Sequence, residues 1–449
     1  MAHRLLTSTP LLSRTQLTLV ARARAAVPAQ YANYVTASAV VMAGGKAKKA
    51  SAPVRAKGQS NSFRRKKADD DEGSEGAMGG AGRLNDKYYK LAIPVKVEEF
   101  IPSTATTEHV GQVLGFPSTV IPALSQTAYP TLLNEQFALI KPAALVVRES
   151  TVSLLETIDK AMKTPSDKSR IVLSGDSGSG KSALLLQTVS HCLSAGWAVI
   201  YVPKASTWMN SSFPYNKVPN STSFVQPSLA STLIGQILNV NRSVLNKITI
   251  PENVKAGRHD IEEGTTLSSF LEAGIKGQYA AQDVIEVFMK QISAQKEVPT
   301  LIAIDEINHF FRPTQYLSHD GKELDPEHLK LPELFLNYIS GKSSLEHGAV
   351  VGATSDALLA NKSEVLEVAL GVKEVSPYKN LSQTILPWTQ GLAKVEVPNY
   401  TKEEAKGVFD YYKKGHVFYD APSESLFFNK FITSGGNPRK FFTACAKGI

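Results

Sequence analysis

The sequence predicts an α/β fold, a parallel sheet flanked by helices, on three observations. Four short apolar runs have the length and β-branched content of buried parallel strands: "RIVLSG" (Arg170–Gly175), "WAVIYVP" (Trp197–Pro203), "TLIAIDE" (Thr300–Glu306) and "GAVVGATS" (Gly348–Ser355). Segments with helical apolar spacing lie between or after them, including "KSALLLQTVSHCLSAG", "AAQDVIEVFMKQISAQ" and "HLKLPELFLNYIS". The turn joining the first strand to the first of these helices is glycine-rich and closes on Lys181 and Ser182.

The chain has 449 residues, enough for two or three domains, and a composition that permits a sizeable core. No run of about 18 apolar residues occurs, so no membrane span is expected. Cys192 and Cys445 are the only cysteines, too few and too far apart for a disulfide framework, which fits a reducing compartment. The net charge of +8 is unevenly placed: 13 of the 49 Lys and Arg precede Asp69 and no Asp or Glu does, leaving 36 basic against 41 acidic residues beyond. Basicity belongs to the N-terminus.

Residues 1–43 space Arg4, Arg14, Arg22 and Arg24 among Leu, Val, Ser and Thr, the composition of a mitochondrial transit peptide, although a generic tail has similar content. Residues 44–82 are rich in Gly, Ser, Ala and charge and should not fold alone. Their block Lys46 to Lys67 reads either as a tract following a phosphate backbone or as a solvated linker. Residues 83–135 read as an irregular, extended arm. From Pro142 to Met162 the apolar positions fall at helical spacing and predict one helix. A nucleotide-binding domain is expected over 136–390. Its insertion, 204–277, is too long for a simple loop and suggests a lid or a partner surface. "LAKVEVP" (Leu392–Pro398) reads as a fifth strand leaving this domain for a helical C-terminal subdomain, 391–449, whose first helix opens with a capping box, Thr401 and Glu404.

The glycine-rich turn carries the chemistry. Gly175, Gly180, Lys181 and Ser182 fit G-x-x-x-x-G-K-[ST]. Glycines let the backbone curl so that amides point at phosphate oxygens, from Asp176, Ser177, Gly178 and Ser179 as well. Lys181 reaches the β and γ oxygens, Ser182 ligates Mg²⁺, and the helix start adds its positive end. Asp305, closing an apolar strand, is placed to hold the same Mg²⁺. Glu306 stands where ATPases keep a water-activating carboxylate; a surface acid beside the site is the alternative. Thr354, at the tip of the next strand, is placed to sense a γ-phosphate or simply to end the strand. Arg439, in "GGNPRKFF", is either a nucleotide-facing arginine or an ordinary basic residue.

Together, the loop, the "DEINHFFRPT" segment after Asp305, the "GAVVGATS" strand and "GGNPRKFFTAC" resemble the death-associated protein three family, with a fungal flavour, over about Gln136 to Ile449. The resemblance implies an AAA+-like P-loop NTPase fold in the head of the mitochondrial small ribosomal subunit, in the matrix. It implies contacts to rRNA and neighbouring ribosomal proteins and leaves room for contacts to the large subunit. It also implies a bound GTP or GDP with Mg²⁺ acting mainly in structure, held by Gly175, Gly180, Lys181, Ser182 and Asp305. Glu306 is not part of that pattern, so hydrolysis stays open, and nothing in the residues selects guanine over adenine. Two other functions compete. An active AAA+-type or signalling NTPase would want an arginine finger, yet no Arg lies between Ala349 and Gln390. An off-ribosome mitochondrial RNA-binding factor would rest on the basic N-terminal block alone.

Overall fold

The computed structural model describes residues 94–127, 129–256, 259–276, 280–355, 362–374, 382–418 and 421–446. The expectations for 1–43 and 44–82 lie outside them. The strands are β1 (Val113–Gly115), β2 (Ala144–Val146), β3 (Arg170–Ser174), β4 (Ala198–Val202), β5 (Asn216–Lys217), β6 (Phe224–Val225), β7 (Val254–Ala256), β8 (His259–Ile261), β9 (Thr300–Asp305), β10 (Gly348–Ala353) and β11 (Ala393–Glu396). Five of them form one sheet in the order β11-β3-β10-β9-β4, every neighbouring pair parallel.

β4, β9 and β10 are buried at every position, as strands covered on both faces must be, so their sequences run apolar without alternation. Alternate residues still serve different layers. Val172, Ile200, Ile302, Ile304 and Val350 enter one apolar cluster; Leu173, Val199, Leu301, Ala303 and Val351 enter another. The second is completed by α3 (Glu149–Ala161) and α4 (Lys181–Ser194), through Leu154, Ile158, Leu184, Leu185 and Val189.

The first cluster shows what the insertion does. It contains a short helix α5 (Ser206–Met209) and then α6 (Pro227–Leu245) and α7 (Leu267–Lys276), followed outside it by α8 (Ala281–Ala294) and α9 (Lys330–Ser340). Leu229, Leu233, Ile234, Ile237, Phe270 and Leu271 are buried against the sheet side of this layer together with Phe288 and Phe335. The segment 204–277 is therefore no simple loop: its helices are part of the layer that covers this face of the sheet. It also closes an edge. β4 ends the sheet, and Asn241 of α6 takes the place of a missing strand: its side-chain amide accepts from Val199 N at 2.6 Å and donates to Val199 O at 2.8 Å.

Three other expectations need correction. The apolar stretch from Pro142 opens as β2, paired antiparallel with β1, and α3 starts only at Glu149. "ALVV" is an apolar run buried at each position and ends on two β-branched valines, and counting helical spacing across a strand–helix junction merged the two. The arm is less irregular than its composition suggests, since α1 (Ile121–Thr127) and α2 (Thr131–Leu139) lie within its neighbourhood and Phe100, Leu114, Phe116 and Leu124 are buried. β11 does not leave the sheet; it pairs with β3 from Ala393↔Ile171 to Glu396↔Ser174.

Helix α10 (Glu364–Ala369) follows β10. The chain ends in α11 (Lys402–Lys414), α12 (Glu424–Ser434) and α13 (Pro438–Ala446). The capping box forms as the sequence requires: Glu404 N donates to Thr401 Oγ1 at 3.2 Å and Thr401 N to the Glu404 carboxylate at 3.0 Å. These helices share a core of Val408, Phe409, Tyr412, Phe427, Phe441 and Phe442, into which Ile140 and Val146 also pack. Each such buried aromatic or large aliphatic side chain contributes about 1.5–3 kcal/mol.

Candidate functional site

The loop from Gly175 to Gly180 leaves the C-terminal end of β3 and delivers the chain to α4, with Gly180 as N-cap. Its three glycines all have positive φ, +149° at Gly175, +83° at Gly178 and +100° at Gly180, a region that side chains strongly disfavour. Two of them are also sterically required. A Cβ on Gly175 would lie 2.4 Å from Val397 O, and one on Gly178 would lie 2.7 Å from the Arg439 Cβ. Gly178→Ala is therefore expected to cost about 1–3 kcal/mol and to loosen α13, measured as a lower chemical-unfolding midpoint together with faster hydrogen exchange in 437–446.

Every carbonyl of the loop from Gly175 to Ser179 is engaged by a donor. Lys181 Nζ donates to Gly175 O at 2.6 Å and to Asp176 O at 2.9 Å. Asn437 Nδ2 donates to Ser177 O at 3.0 Å, Arg439 N to Gly178 O at 3.2 Å, and Arg148 Nη1 to Ser179 O at 2.9 Å. Carbonyls held in this way are the negative ends of the peptide dipoles, tied up before any anion arrives. The Ser179 hydroxyl is buried with no hydrogen-bond partner among the described residues, a polar atom the fold leaves unanswered beside the loop.

Ser182, one residue into α4, donates its hydroxyl to Asp305 Oδ1 at 3.0 Å, and Glu306 N donates to the same oxygen at 2.9 Å. The structure thus joins the loop hydroxyl to the acid at the end of β9, 123 residues later. Asp305 is 2 % exposed, and its pKa is raised to about 7: burial is the main cause, with the Glu306 charge adding to it, while Ser182, the Glu306 amide and Lys181 oppose it.

Thr354 follows β10, which lies between β3 and β9. It is buried, and both its amide and its hydroxyl donate to Leu173 O on β3, at 3.1 and 3.2 Å. Glu306 has a left-handed backbone, φ +59°, and its carboxylate accepts from Ser206 N at the start of α5 at 3.3 Å. Arg439 is exposed and lines a groove of ≈ 720 Å³ with Asp176, Ser177, Asn399, Asn437 and Lys440. That groove runs along the flank of the loop facing the C-terminal helices. Lys181, Ser182 and Asp305 do not line it, so the structure does not bring Arg439 together with those three there.

Three further polar residues at the site were not singled out from the sequence. Arg148 is 4 % exposed and reaches the loop from the start of α3. Asn437 is 5 % exposed and ties α13 to the loop. Asn308 exchanges hydrogen bonds with Ser355, donating to its carbonyl at 3.3 Å and accepting from its amide at 2.9 Å, which fixes the segment after β9 to the end of β10. The "GGNP" break gave a hint for Asn437, and Asn308 lies within the quoted "DEINHFFRPT" segment; Arg148 had no such signal.

The parallel sheet, with its glycine loop, lysine, hydroxyl and buried acid gathered at the C-terminal ends of β3 and β9, defines an α/β protein, and in open parallel sheets those strand ends are where ligand sites generally lie. Comparison with known proteins narrows this. The family described as Mitochondrial ribosomal death-associated protein 3 matches residues 145–444, well over half of the chain, and the chain belongs to that family. It is 27% identical over 360 residues to the small ribosomal subunit protein mS29 of Schizosaccharomyces pombe, covering 79% of this chain and 75% of that one. Identity to mS29 of Neurospora crassa is 25% (77% and 76% covered), and to mS29 of Mus musculus 26% (69% and 78% covered).

Proposed function

We propose that this chain is a structural constituent of the mitochondrial small ribosomal subunit and that it holds a purine nucleotide, GTP or GDP with Mg²⁺, in the loop of residues 175–182. Family membership supports the ribosomal part, and with it a place in the mitochondrial matrix among rRNA and ribosomal proteins. No described helix is long and apolar enough to cross a membrane.

The nucleotide part rests on one observation, the Ser182–Asp305 hydrogen bond beside a loop whose carbonyls are all engaged. We read the domain as a P-loop NTPase fold of AAA+-like kind. The donor set fits a magnesium polyphosphate: Lys181 for the phosphate oxygens, Ser182 and Asp305 for a hard cation that prefers oxygen ligands. Bound Mg²⁺ would supply charge neutralisation at the phosphates. The loop amides and the N-terminal end of α4 would orient the anion, and Lys181 would give up its two loop carbonyls to take it. Guanine rather than adenine is carried by the family resemblance alone.

A held ligand serves a scaffold well. At a thousandfold excess over Kd it adds about 4 kcal/mol to the folded state by mass action. Turnover is a weaker reading, because Glu306 already accepts from the Ser206 amide and no arginine lies between Ala349 and Gln390. Sedimentation of the native protein from mitochondrial extract is the test. Co-migration with small-subunit particles is expected; a pool entirely free of them would favour the off-ribosome RNA-binding alternative.

A further inference from the structure

Arg148 connects parts of the chain that are far apart in sequence. Its Nη1 donates to Ser179 O on the loop at 2.9 Å. Its Nε donates to the Glu404 carboxylate at 3.2 Å, and its Nη2 to Pro398 O at 2.7 Å and to Asn399 O at 3.2 Å. The guanidinium also stands 5.0 Å from the centre of the Tyr400 ring. Arg148 and Glu404 are 4 % and 2 % exposed. Glu404 is at once the partner of this arginine and the capping residue of α11. One buried cation thus touches the loop, the connector after β11 and the first C-terminal helix.

Two more of the loop's carbonyls are held from the same region. Asn437 donates to Ser177 O and also to the Asn399 side chain at 3.2 Å, and Arg439 N donates to Gly178 O. Three consecutive loop carbonyls are thereby set by Arg148 and the C-terminal segment, and none of those donors belongs to α4, the helix the loop opens. An anion that draws the loop amides inward must work against, or with, the seat of α11 and α13.

We propose that Arg148 is a positioning residue, a latch through which the loop and the C-terminal helices stabilise one another, so that filling the loop tightens α11–α13 and loosening those helices weakens the loop. The proposal rests on the nucleotide reading for its ligand, but the mechanical coupling does not.

The informative variant is Glu404→Gln. Gln keeps the capping box, since Gln serves at that position as Glu does, while the charge facing Arg148 is lost. The hydrogen bonds of Glu404 go to Arg148 and Thr401 and not to the loop. Arg148→Lys is the companion: it keeps the charge and loses the planar fork that reaches three partners at once. On full-length protein, hydrogen exchange without nucleotide should quicken several-fold in loop residues 175–182 of Glu404→Gln, with the thermal transition still cooperative. Titration with GDP and Mg²⁺ should show affinity falling about 10-fold in Glu404→Gln and in Arg148→Lys, and the double variant no worse than the poorer single one. GDP should also slow exchange across 402–446 in the wild type. Unchanged loop exchange and unchanged affinity in Glu404→Gln would overturn the latch. Wild-type protein that binds no GDP, GTP or ATP would instead overturn the nucleotide reading, and the exchange arm would still decide the latch.

Discussion

Lys181→Ala is expected to lower nucleotide affinity at least about 100-fold while leaving the protein folded. Lys181 is 5 % exposed and its ammonium already donates to two loop carbonyls, so without ligand it is held at the loop, placed to exchange those carbonyls for phosphate oxygens. Charge-assisted hydrogen bonds contribute about 1.5–3 kcal/mol each, and two of them to phosphate oxygens give about 3 kcal/mol or more, each 1.4 kcal/mol being tenfold. Alanine is the best helix former and sits at the first residue of α4, so helix propensity does not oppose the change. The carbonyls of Gly175 and Asp176 lose a donor, and a modest drop in stability without ligand follows. Calorimetric titration with GDP and Mg²⁺ checks the affinity and circular dichroism the fold. In cells, the same variant should lower the yield of small-subunit particles, because the stabilisation by ligand disappears. Wild-type particle yield from a variant that has lost nucleotide would separate binding from assembly and remove the scaffold role given to the ligand.

Asp305→Asn should have the opposite effect on the ligand-free protein at neutral pH. Folding raises the Asp305 pKa from 3.8 to about 7. For a raised pKa, the contribution to stability is fully present below the unfolded value and is lost as pH climbs through the folded one. Between about pH 4 and pH 7 the wild type thus loses up to about 4 kcal/mol that an amide at this position would not, at 1.36 kcal/mol per unit. Asparagine is nearly isosteric and can still accept from Ser182 and the Glu306 amide. The stability of Asp305→Asn relative to wild type should therefore rise by about 3 kcal/mol or more from pH 4 to pH 8, measured by urea unfolding without Mg²⁺. Adding Mg²⁺ with nucleotide should reverse the order, because the wild type gains a cation partner for its carboxylate and the amide does not. A gap independent of pH would mean that Asp305 is ionised in the ligand-free protein throughout this range.

The parts of this protein legible in its sequence are those coded locally. Lys181 and Ser182 are marked by spacing within a single turn, and β9 and β10 by unbroken apolar runs that admit few other structures. The Thr401–Glu404 cap is a four-residue pattern, and it formed. The span of the family resemblance, from about Gln136, agrees with the matched residues 145–444.

What escaped was non-local. Arg148 is an ordinary residue at a strand–helix junction until partners 31 to 256 residues away converge on it. Asn241 reads as a polar residue on an amphipathic helix, and only the open edge of β4 gives it a task. The insertion 204–277 reads as too long for a simple loop, but its Ser and Asn obscure the spacing of Leu229, Leu233 and Ile237 that builds α6 into the covering layer. Arg439 reads equally as a nucleotide-facing arginine or as an ordinary basic residue; its backbone N–H holds Gly178 O, and its side chain lines a groove shared with Asp176 and Ser177 of the loop. β11 misled for a related reason: its four residues are mostly exposed, as suits a sheet edge, so the run was too mixed to declare its place.

The most direct test of the central claim is to denature freshly purified protein and identify any released nucleotide by ion-exchange chromatography, with saturation binding of GDP, GTP and ATP in Mg²⁺ alongside. About one purine nucleotide per wild-type chain, and none from Lys181→Ala, is the predicted result. Wild-type chain that releases no purine and shows no saturable binding of any of the three would contradict it.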